Sequence, residues 1–90
     1  MIADEEKVTR LLRTARGQID GILRMIGEDR YCVDISNQLQ ATSSILRKAN
    51  AEVIRAHLRH CVKDSFESGT EADRERKMDE LIQLLDKNLG

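Results

Sequence analysis

Two cysteines and one histidine lie on the same stripe of a long predicted helix. Between Tyr31 and Ser68 the chain contains no glycine and no proline, and its apolar residues recur at helical spacing. At about 100° per residue, Cys32, His57 and Cys61 fall within roughly 40° of one another around the helix axis. Thiolate sulfur and imidazole nitrogen are soft donors, so this set is suited to Cu(I) or Zn(II).

The same three residues are widely separated along the helix. At about 1.5 Å per residue, Cys32 and Cys61 are roughly 43 Å apart, so one chain cannot bring both to a single ion. A second copy running antiparallel would place its own Cys32 beside His57 and Cys61 of the first. The sequence therefore predicts a homodimer with two equivalent sites at its interface.

The spacing of the donors also bears on which metal they would hold. His57 and Cys61 are four residues apart and therefore project from the same face, one turn apart. With two thiolates, one imidazole and no obvious fourth donor, trigonal Cu(I) is favoured over Zn(II). His60 points about 100° away from Cys61 and is expected to be a surface residue. The alternative is that both cysteines are small buried apolar residues and His57 is an interface histidine.

The composition indicates one small helical domain covering residues 1–90. Tyr31 and Phe66 are the only aromatic residues, so the core must be built from Leu, Ile, Val and Ala. Such a core is thin for a monomer, and oligomerisation is the usual remedy at this size.

The sequence contains no apolar run of the roughly 20 residues needed to span a bilayer. We therefore expect no membrane partner and a cytoplasmic location. In that reducing compartment a structural disulfide is disfavoured, so metal binding or redox sensing is the more natural use of Cys32 and Cys61.

Hydrophobic periodicity predicts an all-α chain of three helices. The first runs from about Asp4 to Ile26 and is capped by Gly27, and the second begins near Tyr31. The third opens after Thr70 as N-cap, with Asp73 three residues on. Two copies paired through the long middle helix would form an antiparallel four-helix bundle with the third helices packed on it. The interior glycines 17 and 21 suggest a close helix contact.

The net charge of −1 conceals an uneven distribution. Residues 7–24 carry five bases and one acid, residues 47–63 carry five bases and one acid, and residues 64–90 carry eight acids and four bases. Two basic segments indicate that part of the surface faces a polyanion. The chain lacks a recognisable helix-turn-helix, zinc finger or aromatic RNA platform, so DNA binding would depend on shape and charge.

Three stretches of the chain, RTARGQIDGILRMIGEDRYCVDI, QLQATSSILRKAN and HLRHCVKD, resemble the CsoR/RcnR family of small helical bacterial repressors. The resemblance covers nearly the whole chain and implies a dimer of dimers. Cys32, His57 and Cys61 match the Cys, His, Cys pattern of the Cu(I)-sensing branch. The persulfide-sensing CstR branch resembles the chain in both cysteines but lacks the histidine, and so ranks second.

The resemblance also implies partners for the metal-bound histidine. A Tyr just before the first Cys and a Glu on the third helix would join it through hydrogen bonds, which matches Tyr31 and, as the candidate acid, Glu80. Asp79 or a neighbouring register is an alternative for that acid. A ligating histidine usually donates its other ring N–H to such a group.

The family binds operator DNA through basic residues spread over a tetramer. Positions resembling its DNA-contacting residues are Arg13, Arg16, Gln18 and Lys48, with Arg10 and Arg47 as neighbouring candidates. Leu11 stands where other members often carry a further base. Phosphate contacts by such residues would make binding salt-dependent.

These observations predict a Cu(I)-responsive repressor that binds operator DNA without metal and is released by copper. One alternative is a persulfide sensor in which Cys32 and Cys61 of opposite protomers become bridged through sulfur. Another is a metal buffer or chaperone with no DNA role. An enzyme is disfavoured because no nucleophile has a placed base and no glycine-rich phosphate loop is present.

Overall fold

The computed structural model describes residues 3–89, apart from the side chains of residues 65, 66, 68 and 89. These residues form three helices, α1 (Glu5–Gly27), α2 (Cys32–Ser68) and α3 (Glu71–Leu89), and the all-α prediction is confirmed. Within this range, no helix is both long and apolar enough to cross a membrane.

Helix α1 starts where its sequence provides an N-cap. The Asp4 carboxylate accepts a hydrogen bond from the backbone N–H of Lys7 at 3.1 Å, and Glu5 and Glu6 place negative charge at the positive end of the helix dipole.

The other end of α1 differs from the prediction. The helix runs through Gly27, Glu28 is the C-cap, and the left-handed conformation falls on Asp29, with φ of 53°. Asp tolerates this conformation better than most residues, so the turn into α2 needs no glycine there.

Helices α1 and α2 form an antiparallel hairpin. Near the open end of the hairpin, Val8 packs with Ala3 and Ala49, and Leu11 and Ala56 pack against this cluster. Closer to the turn, the Thr42 hydroxyl donates to Gln18 Oε1 at 2.8 Å. The buried residues are small or medium-sized, which lets the two helix backbones approach closely.

The interior glycines of α1 do not make the predicted close contact within the protomer. A Cβ added at Gly17 would meet nothing within 4 Å, and one at Gly21 would meet only the end of the Arg24 side chain at 3.7 Å. The helix contact that these glycines suggested is therefore not made by α2.

Helix α3 begins at a reciprocal cap. The Asp73 carboxylate accepts from the Thr70 backbone N–H, and the Asp73 backbone N–H donates to the Thr70 hydroxyl, both at 3.2 Å. This capping box confirms the predicted start of the third helix. Near its other end, Asn88 Oδ1 accepts a hydrogen bond from Asn50 Nδ2 at 2.8 Å, which ties α3 to the middle of α2.

The three helices form a single layer. Among residues 3–89, α1 and α3 each contact α2 but not each other. The structure measures 59 × 28 × 12 Å along its principal axes, so it is much thinner in one direction than in the other two. A single layer has no second layer to cover its apolar side chains. Those left exposed include Leu12, Ile19, Leu23 and Ile26 on α1, Leu39, Leu46 and Val53 on α2, and Met78, Ile82 and Leu85 on α3.

Candidate metal centre

The C-terminal half of α2 and the middle of α3 bring three metal-ligating side chains together. His57, Cys61 and Glu80 each offer one ligand atom, and these atoms lie within 4.8 Å of one another. His57 and Cys61 meet because they lie one turn apart on α2. Glu80 reaches them because the short connection after Ser68 returns α3 antiparallel along α2, so that Glu80 meets His57 and the later Asn88 meets the earlier Asn50.

The geometry assigns different roles to the two ring nitrogens of His57. Nε2 contacts the Glu80 carboxylate directly and lies 3.4 Å from the sulfur of Cys61, while Nδ1 lies 4.0 Å from that sulfur. If Nε2 carries the proton and donates it to Glu80, Nδ1 is left with its lone pair free for a metal.

The charges around Glu80 favour its ionised form. The hydrogen bond from His57 is the largest cause that lowers the pKa of this carboxyl, and the ammonium of Lys77 lowers it further. An ionised Glu80 is a better acceptor for the ring N–H than a protonated one. The carboxylate therefore fixes the orientation of the imidazole ring.

Lys77 is part of this cluster although the sequence did not single it out. Its ammonium lies 3.4 Å from Glu80 Oε2, and its pKa is raised by the negative charge that Cys61 can carry and, next, by Glu80. Lys77 precedes Glu80 by three residues, so the helical spacing would have placed it on the same face once Glu80 was chosen.

The structure also settles which acid on α3 contacts His57. Glu80 is half-buried and bonded to the imidazole, whereas the alternative acid, Asp79, is exposed. His60 is exposed as predicted and pairs with Asp64 at 3.0 Å. The acid predicted from the resemblance thus lies beside the histidine, and the competing histidine lies outside the cluster.

Cys32 and Tyr31 lie at the opposite end of α2. Cys61 is buried, with 3 % of its surface exposed, but Cys32 is exposed at the first turn of α2 and Tyr31 is 68 % exposed beside it. The two cysteines are separated by 29 residue steps of helix, which correspond to about 43 Å. Within one protomer, therefore, the donors form a partial set of His57, Cys61 and Glu80.

The predicted DNA-contacting residues lie on both helices of the hairpin. The bases Arg10, Arg13 and Arg16 on α1 and Arg47 and Lys48 on α2 are all exposed. Gln18 differs, because its side chain is half-buried and accepts the hydrogen bond from Thr42. Its contact in this structure joins α1 to α2.

The donor chemistry fits a soft metal ion. Sulfur and imidazole nitrogen favour Cu(I), while the Glu80 carboxylate, a hard donor, is already occupied by His57 and Lys77. In zinc sites the metal lies about 2.0 Å from nitrogen and about 2.3 Å from sulfur. A nitrogen and a sulfur bound to the same ion can therefore be at most about 4.3 Å apart. The 4.0 Å between Cys61 Sγ and His57 Nδ1 lies within that reach.

Comparisons with known proteins agree on one family. A family model described as "Metal-sensitive transcriptional repressor" matches residues 4–87. The copper-sensing transcriptional repressor CsoR of Bacillus subtilis is 33 % identical over 84 residues, covering 93 % of this chain and 80 % of the relative. The copper-sensing transcriptional repressor RicR of Mycobacterium tuberculosis is 40 % identical over 65 residues, covering 72 % of this chain and 68 % of the relative.

A solved structure shows the same fold. The crystal structure of the copper-sensing repressor CsoR with Cu(I) from Geobacillus thermodenitrificans superposes with a TM-score of 0.79 at 27 % identity, covering 94 % of this chain and 85 % of that chain. The family model, the two relatives and this fold give the same assignment. The chain belongs to the family of metal-sensitive transcriptional repressors.

Proposed function

We propose that this protein is a copper-responsive repressor that binds operator DNA in the metal-free state and releases it when Cu(I) binds. The observation that carries the proposal is the cluster of His57, Cys61 and Glu80 at the end of α2. Its relatives are named copper-sensing repressors, which supports copper as the inducer.

Cys32 of a second protomer completes the proposed ligand set. The exposed thiol of Cys32 and the buried thiol of Cys61 lie at opposite ends of α2, so an antiparallel partner brings them together at both ends of the pair. The exposed apolar residues Leu39, Leu46 and Val53 lie between them on the same helix. A dimer through this surface would bury those side chains and form both sites at once.

In this proposal the residues of the chain perform separate tasks. Cys32, His57 and Cys61 hold the ion, and Glu80 keeps the proton on Nε2 so that Nδ1 remains a ligand. A Cu(I) ion held by these residues would act as a soft Lewis acid towards their sulfur and nitrogen atoms. Because Glu80 belongs to α3, the position of that helix depends on the orientation of His57. We propose that this dependence communicates metal binding to the rest of the molecule.

Release from DNA requires that copper binds the two conformations unequally. A ligand with the same affinity for the DNA-binding and released forms would shift nothing. Coupling free energies of about 1–3 kcal/mol are typical of such proteins, which corresponds to roughly a 5- to 150-fold loss of operator affinity.

Subunit mixing tests the shared site directly. Cys32→Ala and Cys61→Ala homodimers should each bind operator DNA but fail to release it on Cu(I) addition. A mixed dimer regains one intact site, with Cys32 from one protomer and His57 and Cys61 from the other. After random exchange between equal amounts of the two variants, half of the dimers are mixed and carry one site, whereas every wild-type dimer carries two. Anaerobic Cu(I) titration should therefore recover about a quarter of the wild-type copper per protomer.

The DNA probe for these measurements is a duplex selected by the metal-free protein from a random-sequence pool. Normal copper release by both single variants would refute the shared site, and failure to enrich any duplex would refute DNA binding. A parallel arm with inorganic polysulfide tests the sulfur-sensing alternative. If polysulfide releases the duplex and Cu(I) does not, copper is not the inducer.

A further inference from the structure

A groove between the N-terminal half of α1 and the C-terminal half of α2 is lined by basic side chains. It has a volume of about 610 Å³ and includes Lys7 from α1 and Arg55, Arg59 and Lys63 from α2. We call these four residues with their surroundings the basic groove. None of them belongs to the DNA-contacting set that the family resemblance implies.

The three α2 residues of the basic groove form one continuous stripe. Arg55, Arg59 and Lys63 are spaced four residues apart, so they lie on one face of the helix, and all three are exposed. Lys48 precedes Arg55 by two turns and shares a smaller cleft with Arg55 and Lys7. From Lys48 to Lys63 the stripe extends about 22 Å, the axial length of roughly six to seven base pairs.

Two acids in the groove are held by local contacts. Asp4 caps α1, and Glu52 accepts from Lys7 at 2.9 Å and lies 3.6 Å from Arg55. The hydrogen bond from Lys7 is the main reason that the pKa of Glu52 is lowered, so Glu52 is ionised at neutral pH. Glu52 therefore offsets the charge of Lys7 and Arg55 and, through a smaller electrostatic effect, that of Arg59, while Lys63 extends the stripe further along α2.

We propose that the basic groove extends the DNA-binding surface, with Arg55, Arg59 and Lys63 contacting backbone phosphates. This inference rests on the proposed function. The basic groove adjoins Leu11, which lines the cleft shared by Lys48 and Arg55. Leu11 carries no charge and stands where other members of the family often carry a base. Phosphate contacts carry no sequence information, so the groove contributes affinity and salt dependence rather than choice of operator.

The position of the stripe connects it to the metal donors. Arg59 lies between His57 and Cys61 in sequence and projects about 160° away from both around the axis. The same two turns of α2 therefore present metal donors on one side and phosphate-binding groups on the other. A shift of this segment on metal binding moves the phosphate contacts with it.

The salt dependence of DNA binding tests the groove. Arg59→Gln and Lys63→Gln are compared with wild type and with Lys87→Gln, which removes an exposed base at the end of α3. The affinity of the metal-free proteins for the selected duplex is measured by fluorescence anisotropy over a range of salt concentrations. Each phosphate-binding side chain removed should reduce the slope of log K against log salt by about 0.9, and each substitution removes one from every protomer that contacts the duplex. Lys87→Gln should leave the slope unchanged.

Removing a negative charge from the basic groove provides an independent check. Glu52→Gln removes the negative charge that holds Lys7 and Arg55, so DNA affinity should rise and the slope should steepen. Asp86→Asn, which removes an exposed acid on α3, is the matched control and should do neither. Circular dichroism of every variant verifies that the helices are retained.

The outcomes separate this inference from the proposed function. If Lys48→Gln reduces the slope but Arg59→Gln and Lys63→Gln do not, the groove does not contact DNA and the inference is overturned, while the repressor proposal stands. If the wild-type protein selects no duplex from the pool, the proposed function itself fails.

Discussion

At the scale of single residues, His57 is the side chain on which the metal centre depends. It contacts Cys61 along its own helix and Glu80 on the neighbouring helix, so one ring connects the sulfur ligand to α3. The sequence spacing was sufficient to predict that His57 and Cys61 meet. It could not choose between Glu80 and Asp79, because that choice depends on how the connection after Ser68 sets the register of α3.

Replacing Glu80 should separate metal binding from the response to it. Glu80→Gln leaves all three proposed ligands in place but weakens the acceptor that orients His57. We expect Cu(I) still to bind, and copper-induced loss of operator affinity to fall roughly tenfold, within the range seen for partners of metal-bound histidines. Anaerobic Cu(I) titration and anisotropy of the selected duplex measure the two effects. Asp79→Asn is the matched control, and an equal effect there would contradict the assignment.

At the scale of helices, most boundaries follow from caps that the sequence displays. Thr70 caps α3 as predicted, and Asp4, predicted only as the approximate start of the first helix, caps α1 in the same way. Each presents its side-chain oxygen to a backbone N–H three residues on. The predicted cap at Gly27 was wrong because the chain places its left-handed residue at Asp29. Which residue of a short connection adopts that conformation depends on the direction in which α2 leaves.

The capping box of α3 should make its first turn sensitive to acid. Hydrogen bonds from the backbone and hydroxyl of Thr70 are the main reasons that the pKa of Asp73 is lowered. A group with a lowered pKa in the folded state stabilises that state at higher pH, and the contribution is lost as the pH falls below about 4. The protection factors of the amides of Asp73 and Arg74, which correct for the pH dependence of the intrinsic exchange rate, should therefore fall below that pH. In Asp73→Asn these protection factors should already be low at neutral pH, and a protected first turn in that variant would argue against the cap.

At the scale of the molecule, the protomer is a single layer of helices that leaves many apolar side chains exposed. Exposed apolar side chains of all three helices lie on it, including Leu23 at 60 % and Leu39 at 52 % exposure. The composition predicted a core too small for a monomer, and the layer explains why: its buried residues are few and small. The arrangement of the three helices in one layer could not be predicted, because periodicity gives the apolar face of each helix but not how three such faces align.

A charge on the apolar surface of α2 should prevent pairing and abolish copper binding together. Leu46 lies between the two cysteines along the proposed dimer surface and is exposed in the protomer. We expect Leu46→Glu to shift the protein to monomers in sedimentation equilibrium and to lose Cu(I) binding, because Cys32 is then no longer supplied by a partner. Ala41→Glu, placed about 140° from Leu46 around α2, is the control. A Leu46→Glu dimer with full copper binding would contradict the proposed interface.

The thinness of the layer affects how readily a newly synthesised chain is degraded. If the chain pairs as proposed, a protein one helix thick gains much of its protection from water only on binding its partner, so its folding free energy depends on subunit concentration. Freshly synthesised subunits at low abundance would be degraded more readily than those already paired. The cell would then hold either assembled repressor or little repressor at all, and the supply of working molecules would respond steeply to the rate of their synthesis.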